Sequence, residues 1–427
     1  MRIIEGYQSA RKALSRQAPD ELLDTGERQQ AVRQIINDVR EKGDAALFEF
    51  TSKFDGVSLD SLEISKEQIS IARKKVDPEL VSALELAAER IRSFHDRQRE
   101  SLLRDSTESN TGWLMRPLER VGIYVPGGTA PLPSSLLMTA IPARVAGVKE
   151  VFVTTPPGSN GIVPPIMLAA ADIANVDRVF SIGGAQAIAA LAFGTDTVPR
   201  VDKIYGPGNI YVLLAKKMVY GIVGIDALQG PSEVLIIADD SAEAEYCTTD
   251  LLAQAEHGAH SSAILVTTSR LLADKVNRQV GEQIKNLSRK DIATQSLSDR
   301  GIITIVASID EAIEMANLYA PEHLCLMVRD SDYCVDRLTN AGCIITGGKS
   351  TAVLGDYVAG PSHVLPTEGT ARFSSPLNVN DFVKITNIIN VDDTELKQIG
   401  SVAATIARAE GLDAHARAVE KRLEKNK

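Results

Sequence analysis

The chain has 427 residues, 44% hydrophobic and 24% charged, a globular balance that is too long for one ordinary core and calls for two or three domains. A formal charge of −10 and an aromatic content of 4% exclude a nucleic-acid partner, which needs a basic face or a stacking platform. The four cysteines (Cys247, Cys325, Cys334, Cys343) lack C-x-x-C spacing and no apolar run resembles a signal peptide or a membrane span, so a reducing cytoplasmic setting without a membrane partner is expected.

Residues 1–25 read as an N-terminal arm. From about Gly26 to Arg104 apolar residues recur at helical spacing, as in Val32-Ile35-Ile36-Val39 and Leu80-Leu84-Ala87-Ile91. Short β-branched runs follow at Val121–Val125, Val151–Thr155, Val179–Ile182 and Lys203–Tyr205, each closed by glycine or proline and then an apolar helical stretch. A second series runs through Val234–Ala238, Ala263–Thr267, Ile302–Val306, Leu324–Val328 and Cys343–Thr346. Strand, glycine turn, helix, strand is the rhythm of parallel α/β sheets. Beyond Pro376 the pattern predicts a helical tail, with Asp392 to Glu395 capping a helix to about Glu410, a stop at Gly411 and a last helix capped by Asp413. The expected fold is therefore α/β, with two Rossmann-like parallel-sheet domains that lack the usual G-x-G-x-x-G fingerprint, and a helical C-terminal tail. The expected division is 26–118 with 234–375 as the first α/β domain, 119–233 as the second, and 376–427 as the tail.

Only six histidines occur, and four of them stand near carboxylates or amides. A side chain that titrates near neutrality, set among oxygen donors, is what a divalent metal and a general base require. Gln254 and His257 lie three apart at the end of a helix that Gly258 stops, which makes either half of a metal site or a histidine capping the last carbonyls. Glu410 ends one helix and His415 opens the next, where a helix N-terminus keeps the imidazole neutral; taken alone, the pair reads rather as an exposed capping turn. Glu322 and His323 begin a strand, free to aim at one cleft as proton acceptors of different strength or to form a plain surface pair. Cys325 shares the face of His323, so a Cys-His nucleophile pair stands as a rival. Asp356 and His363 fall in a turn-rich loop after the last strand, where open α/β sheets bind ligands. The glycine loops Tyr124-Val-Pro-Gly-Gly128, Gly183-Gly-Ala-Gln186, Tyr205-Gly-Pro-Gly-Asn209 and Gln229-Gly-Pro-Ser232 each follow a strand, as phosphate cradles or as structural turns. None is a P-loop, so local spacing does not name a cofactor.

Read in order, these segments resemble the histidinol dehydrogenase family. The strings that carry the resemblance are Tyr124-Val-Pro-Gly-Gly-Thr-Ala-Pro-Leu, Gly183-Gly-Ala-Gln-Ala-Ile-Ala-Ala-Leu, Gly206-Pro-Gly-Asn209, Gly230-Pro-Ser-Glu-Val, Gln254-Ala-Glu-His-Gly258, Ala320-Pro-Glu-His-Leu324, Gly355-Asp-Tyr, His363-Val-Leu-Pro-Thr and Ala409-Glu-Gly-Leu-Asp-Ala-His415. The resemblance implies oxidation of L-histidinol to L-histidine, the last step of histidine biosynthesis, through bound L-histidinal with two NAD and one Zn2+ per subunit. It implies Gln254, His257, Asp356 and His415 as zinc ligands and Tyr124, Gln186 and Asn209 as the NAD site. Ser232, His363 and Glu410 are implied as further substrate contacts, together with the zinc ligands and Glu322. Glu322 and His323 are implied as the catalytic pair, and the tail is expected to be exchanged across a homodimer, so that Glu410 and His415 complete the partner's site.

The residue types suit that chemistry. His323 takes the hydroxyl proton as hydride leaves, Glu322 deprotonates the water that adds to the aldehyde, and zinc orients the substrate. Three departures from the family pattern stand out: Gln229 in place of alanine, Ser350-Thr-Ala-Val in place of Ser-Pro-Glu-Ala, and Ser362 in place of asparagine. They leave a related amino alcohol as an alternative substrate. A zinc hydrolase with the same ligands, and a non-catalytic metal- or nucleotide-binding protein, are the readings from other classes.

Overall fold

A computed structural model describes residues 1–16, 26–102, 104–106, 111–127 and 131–425; Gly128 and residues 17–25 of the arm lie outside the described residues. The chain divides into two compact units, Met1–Arg99 with Leu118–Phe382, and Glu100–Pro117 with Val383–Lys427.

The larger unit holds two six-stranded sheets. The first contains β1 (Arg2–Glu5), β9 (Glu233–Ala238), β10 (Ser262–Thr267), β11 (Gly301–Ile305), β12 (His323–Met327) and β13 (Cys343–Thr346), ordered β1-β11-β10-β9-β12-β13 with every pair parallel. Its central strands are apolar on both faces because helices cover both. Along β9, Val234, Ile236 and Ala238 enter one core cluster while Leu235 and Ile237 enter the other, the two-residue period of a strand buried on both sides. The second sheet contains β2 (Glu63–Ile64), β4 (Arg120–Tyr124), β5 (Glu150–Thr155), β6 (Arg178–Ser181), β7 (Lys203–Tyr205) and β8 (Gly224–Ile225), ordered β2-β6-β5-β4-β7-β8. Only β2 runs antiparallel in it. In both sheets the chain adds two strands on one side and then crosses to the other, so the order reverses between β9 and β12 and between β4 and β7.

All nine strands expected from sequence are present, within a residue or two at their ends. The helices expected before residue 104 are present too, and Val32, Ile35, Ile36 and Val39 are all buried; Leu80, by contrast, is exposed. Two expectations need correction. The helices Glu27–Lys42 and Asp44–Asp55 pack in one cluster with Tyr124, Phe152, Phe180 and Leu191, so they cover the second sheet and not the first, with which residues 26–118 were grouped. A helical stripe says that one face is buried but not against which sheet. The N-terminal arm in turn gives its β1 to the first sheet.

The second correction concerns the tail. The smaller unit contains a seven-pair antiparallel ladder of β3 (Thr111–Pro117) and β14 (Val383–Ile389) before the helices Asp393–Ala409 and Asp413–Lys425. The helices and the Asp392 cap on Glu395 N–H follow the expectation, and Gly411 makes the turn at φ +77°. Asp413 is the first residue of the last helix and not its cap. Arg408 ties the helix pair together through Asp413 at 3.0 Å and Glu420 at 2.9 Å. Among the described residues no helix is long and apolar enough to cross a membrane.

Candidate active site

Two short segments of the first sheet carry the candidate catalytic residues. Ser232 and Glu233 lead into β9, while Glu322 and His323 lead into its neighbour β12, and the parallel register sets His323 beside Val234. A sharp turn aims Glu322. The preceding helix Ile309–Tyr319 ends on Ala320 in the left-handed region at φ +52°, an unusual conformation for a side chain with a Cβ. Gly342 N–H donates to Pro321 O at 2.9 Å and Cys343 N–H to Glu322 O at 2.8 Å, which locks the turn to β13.

Glu322 receives two hydrogen bonds on one oxygen. Ser232 Oγ and Glu233 N–H both donate to Oε2 at 2.7 Å, and among the described residues Oε1 takes part in no hydrogen bond. Gln254 Nε2 donates in turn to Ser232 Oγ at 2.9 Å. His323 Nδ1 lies 3.3 Å from Glu233 O; a carbonyl only accepts, so Nδ1 carries the hydrogen and Nε2 is the basic nitrogen. Nε2 faces Asp356 Oδ1 at 3.5 Å, and Nδ1 stands 3.6 Å from Glu322 Oε2. Burial alone pulls the imidazole of His323 down, but the Asp356 and Glu322 carboxylates outweigh it and hold its pKa well above the ordinary histidine value. Burial likewise pushes Asp356 up, and His323, His363 and His257 together bring it below the usual aspartate range.

The predicted residues are therefore partly united. Ser232, Gln254, Glu322, His323, Asp356 and His363 form one chain of contacts, and exposed His257 is among the groups that lower the Asp356 pKa. His363 joins the chain through the backbone of Asp356. Its Nδ1–H donates to Asp356 O at 2.7 Å and its Nε2 meets Ser135 Oγ at 3.1 Å, so both nitrogens are engaged in bracing the Asp356 loop. Cys325 is buried and burial holds its thiol protonated, which removes the Cys-His nucleophile. Glu410 and His415 belong to the smaller unit, exposed at the turn between its two helices. The location on the first sheet also corrects an expectation. The cluster sits where the strands begin, not at their carboxyl ends.

Sequence reasoning missed Glu233 and the groups around it. Its one local signal is a carboxylate opening an otherwise apolar strand, Glu233-Val-Leu-Ile-Ile-Ala. Ser135 and Arg16 carry no local signal at all, because their partners are more than 200 residues away in sequence. None of the three departures bonds Glu322 or His323 among the described residues. Ser362 is buried and donates to Met138 O at 3.1 Å. Thr351 caps the helix Ala352–Tyr357 and donates to Asp250 at 2.8 Å. Gln229 bonds Lys216 and Asp226.

The second sheet offers a cleft of about 990 Å³ at the carboxyl ends of its strands, at the point where strand order reverses. Tyr124, Gln186 and Asn209 all line it, together with Phe50 and Asp55 from the covering helices. Tyr124 is buried, accepts from Gly184 N–H at 3.2 Å, and burial lifts its pKa to about 12. Asn209 Oδ1 caps the helix Ile210–Val219 through Tyr211 N–H at 3.0 Å. Gly206 permits the close approach of the two loops, since a Cβ there would lie 2.0 Å from Tyr124 O. Gln186 is 1% exposed, yet its Oε1 has no partner among the described residues. A buried orphan oxygen facing a cleft of this volume fits a dinucleotide.

The metal expectation is tested by the donor set. Among the described residues no three His, Cys, Asp or Glu side chains converge to form a metal centre by themselves. His257 acts on the Asp356 carboxylate through space, and Gln254 spends its amide nitrogen on Ser232, leaving its oxygen as the atom that would ligate. An ionised carboxylate, an exposed imidazole and an amide oxygen fit zinc as a partial, open set.

A family model described as "Histidinol dehydrogenase" matches residues 19–423. A histidinol dehydrogenase of Dehalococcoides mccartyi (strain CBDB1) is 55% identical over 99% of this chain and 100% of its own length, and one of Deinococcus radiodurans is 49% identical with the same coverage. The crystal structure of histidinol dehydrogenase from Elizabethkingia anophelis superposes with a TM-score of 0.94 at 37% identity, over 100% of this chain and 98% of that one. With a family model matched over most of its length, full-length relatives near 50% identity and a closely superposing structure, this chain belongs to the histidinol dehydrogenase family.

Proposed function

We propose that Glu322 and His323 divide the two oxidations between them, with Ser232, Gln254, His257 and Asp356 around the substrate and Tyr124, Gln186 and Asn209 around the cofactor. As a member of its family the chain is an NAD-dependent oxidoreductase that converts histidinol to histidine, the final step of histidine biosynthesis. The family uses NAD and zinc; one metal per subunit, held by Gln254, His257, Asp356 and His415, is part of the proposal. When bound, zinc supplies a cation that holds the nitrogen groups of the amino alcohol, and NAD accepts the electrons of both oxidations.

The contact chain from Gln254 to Asp356 is the observation that supports this reading. Asp356 would hold the metal, which would leave His323 Nε2, now 3.5 Å from that carboxylate, as the basic nitrogen for the alcohol proton. Glu322 keeps Oε2 on Ser232 and Glu233 and has Oε1 for a water, which it deprotonates for addition to the aldehyde. His323 then takes the proton of the resulting diol as the second oxidation proceeds.

Half-reactions test the division. His323→Ala should slow both oxidations by about 100-fold or more, whereas Glu322→Gln should slow histidinal oxidation chiefly. Equal loss in both half-reactions for Glu322→Gln removes the division of labour. Two NADH per histidinol, lost on chelation and restored by zinc, is the expected stoichiometry; turnover untouched by chelation removes the metal from the proposal.

A further inference from the structure

We propose that Arg16, in the N-terminal arm, is a positioning residue for the pair Glu322 and His323, acting through the buried side chain of Glu233. The inference rests on the reading of that pair as catalytic.

The peptide groups of Glu233 touch both members of the pair. Its N–H donates to Glu322 Oε2 at 2.7 Å and its C=O receives His323 Nδ1 at 3.3 Å. Any shift of this residue along β9 moves the carboxylate and sets the tautomer and tilt of the imidazole together. Its side chain is anchored from the far end of the sequence. The Glu233 carboxylate is 2% exposed and accepts Arg16 Nη1 and Nη2 at 2.6 Å each, a bidentate fork. Arg16 Nε donates to Tyr319 O at 2.6 Å, and the guanidinium lies 3.7 Å over the Tyr319 ring. Tyr319 stands three residues before Glu322, on the near side of the left-handed turn at Ala320. A single planar cation therefore grips both the segment that leads into β9 and the turn that leads into β12.

Charge points the same way. Without Arg16 the site would hold two neighbouring buried carboxylates, Glu233 and Glu322, with one imidazole to serve them. Arg16 neutralises the one that does no chemistry. Lysine cannot replace it, because a point charge cannot satisfy the carboxylate fork and the Tyr319 carbonyl at once.

Three variants of the zinc-loaded enzyme separate positioning from a plain structural tie: Arg16→Lys, Arg16→Met, and Arg16→Met with Glu233→Gln. The double variant removes both buried charges, so it keeps the fold even where Arg16→Met alone unfolds. We expect Arg16→Lys and the double variant to unfold near the parent temperature yet lose about 10- to 100-fold in kcat in both half-reactions. The KM for NAD should stay within about twofold, because the cofactor cleft is lined by the other sheet. Parental kcat in a folded double variant, or losses that follow melting temperature alone, would overturn the proposal. Glu322→Gln and His323→Ala run alongside as controls. If they retain parental rates, the reading of the catalytic pair fails; if they are slow while the Arg16 variants are fast, only the inference about Arg16 fails.

Discussion

Gln186 shows what a single side chain can disclose about a missing ligand. It sits at the start of the helix Gly184–Phe193, 1% exposed, lining the cleft of the second sheet with an oxygen that finds no donor among the described residues. Burying a polar atom without a partner costs about 1–3 kcal/mol, so its retention there is explained by a partner that arrives from outside. Gln186→Ala should therefore leave stability unchanged or slightly improved, and raise the KM for NAD by about tenfold, the equivalent of about 1.4 kcal/mol. The KM for histidinol should not move. Steady-state kinetics with each substrate varied in turn will decide it, and a rise in both constants would mean that Gln186 shapes the whole site and not the cofactor cleft alone. The residues with local chemical signatures were legible in the sequence: Glu322, His323, Asp356 and the glycine loops. His363 is legible as a member of the Asp356 loop, but its bond to Ser135 is not, because that partner lies 228 residues away in sequence.

At the level of elements, the loop after β7 is held to the loop before β9 by a buried ionic knot. Lys216, 2% exposed, donates to Gly206 O at 2.9 Å and Gln229 Oε1 at 3.2 Å and is paired with Asp226, itself 4% exposed. Asp226 Oδ2 accepts from Gly206 N–H at 2.8 Å and Gln229 Nε2 at 3.0 Å. The knot thus joins Gly206 of the cofactor loop to Gln229, three residues before Ser232. Breaking one side of such a pair strands a buried charge, so Lys216→Met should cost about 3–5 kcal/mol in denaturant unfolding. Pairing it with Asp226→Asn should recover most of that loss; an unrecovered double variant would show that hydrogen bonding to Gly206, not charge, is what holds the loops. Strands with a βα rhythm around them were legible because their apolar runs are closed by glycine and proline. The β3–β14 ladder was not. Val383-Lys-Ile-Thr-Asn-Ile-Ile389 does alternate at its start, but a lone two-stranded ribbon outside that rhythm reads weakly, and its partner lies some 270 residues earlier. The helices of residues 27–55 show the same limit in another form, since their stripe fixes a buried face and leaves the choice of sheet to long-range packing.

For the whole molecule the smaller unit poses the remaining question. Considered by itself, it leaves Ile385, Ile389, Ile399, Val402 and Ile406 exposed, with Ile389 at 77%, more apolar surface than an isolated ribbon and helix pair needs to show. Its turn also carries Glu410 and His415, a carboxylate and an imidazole outside the unit that holds Glu322 and His323. We propose that this unit is exchanged in a homodimer and that its Glu410 and His415 complete the site of the partner chain. Complementation tests this without any structure of the dimer. A His415→Ala chain and a Glu322→Ala chain should each be inactive alone. Unfolded together and refolded at equal concentration, they form mixed dimers in which one site combines an intact Glu322 with an intact His415 while the other carries both defects. Random pairing makes half of the dimers mixed, so about a quarter of the parental rate should return. A mixture shown by mass to contain heterodimers and yet inactive would assign Glu410 and His415 to the site of their own chain, and the exposed isoleucines would then need a different cover.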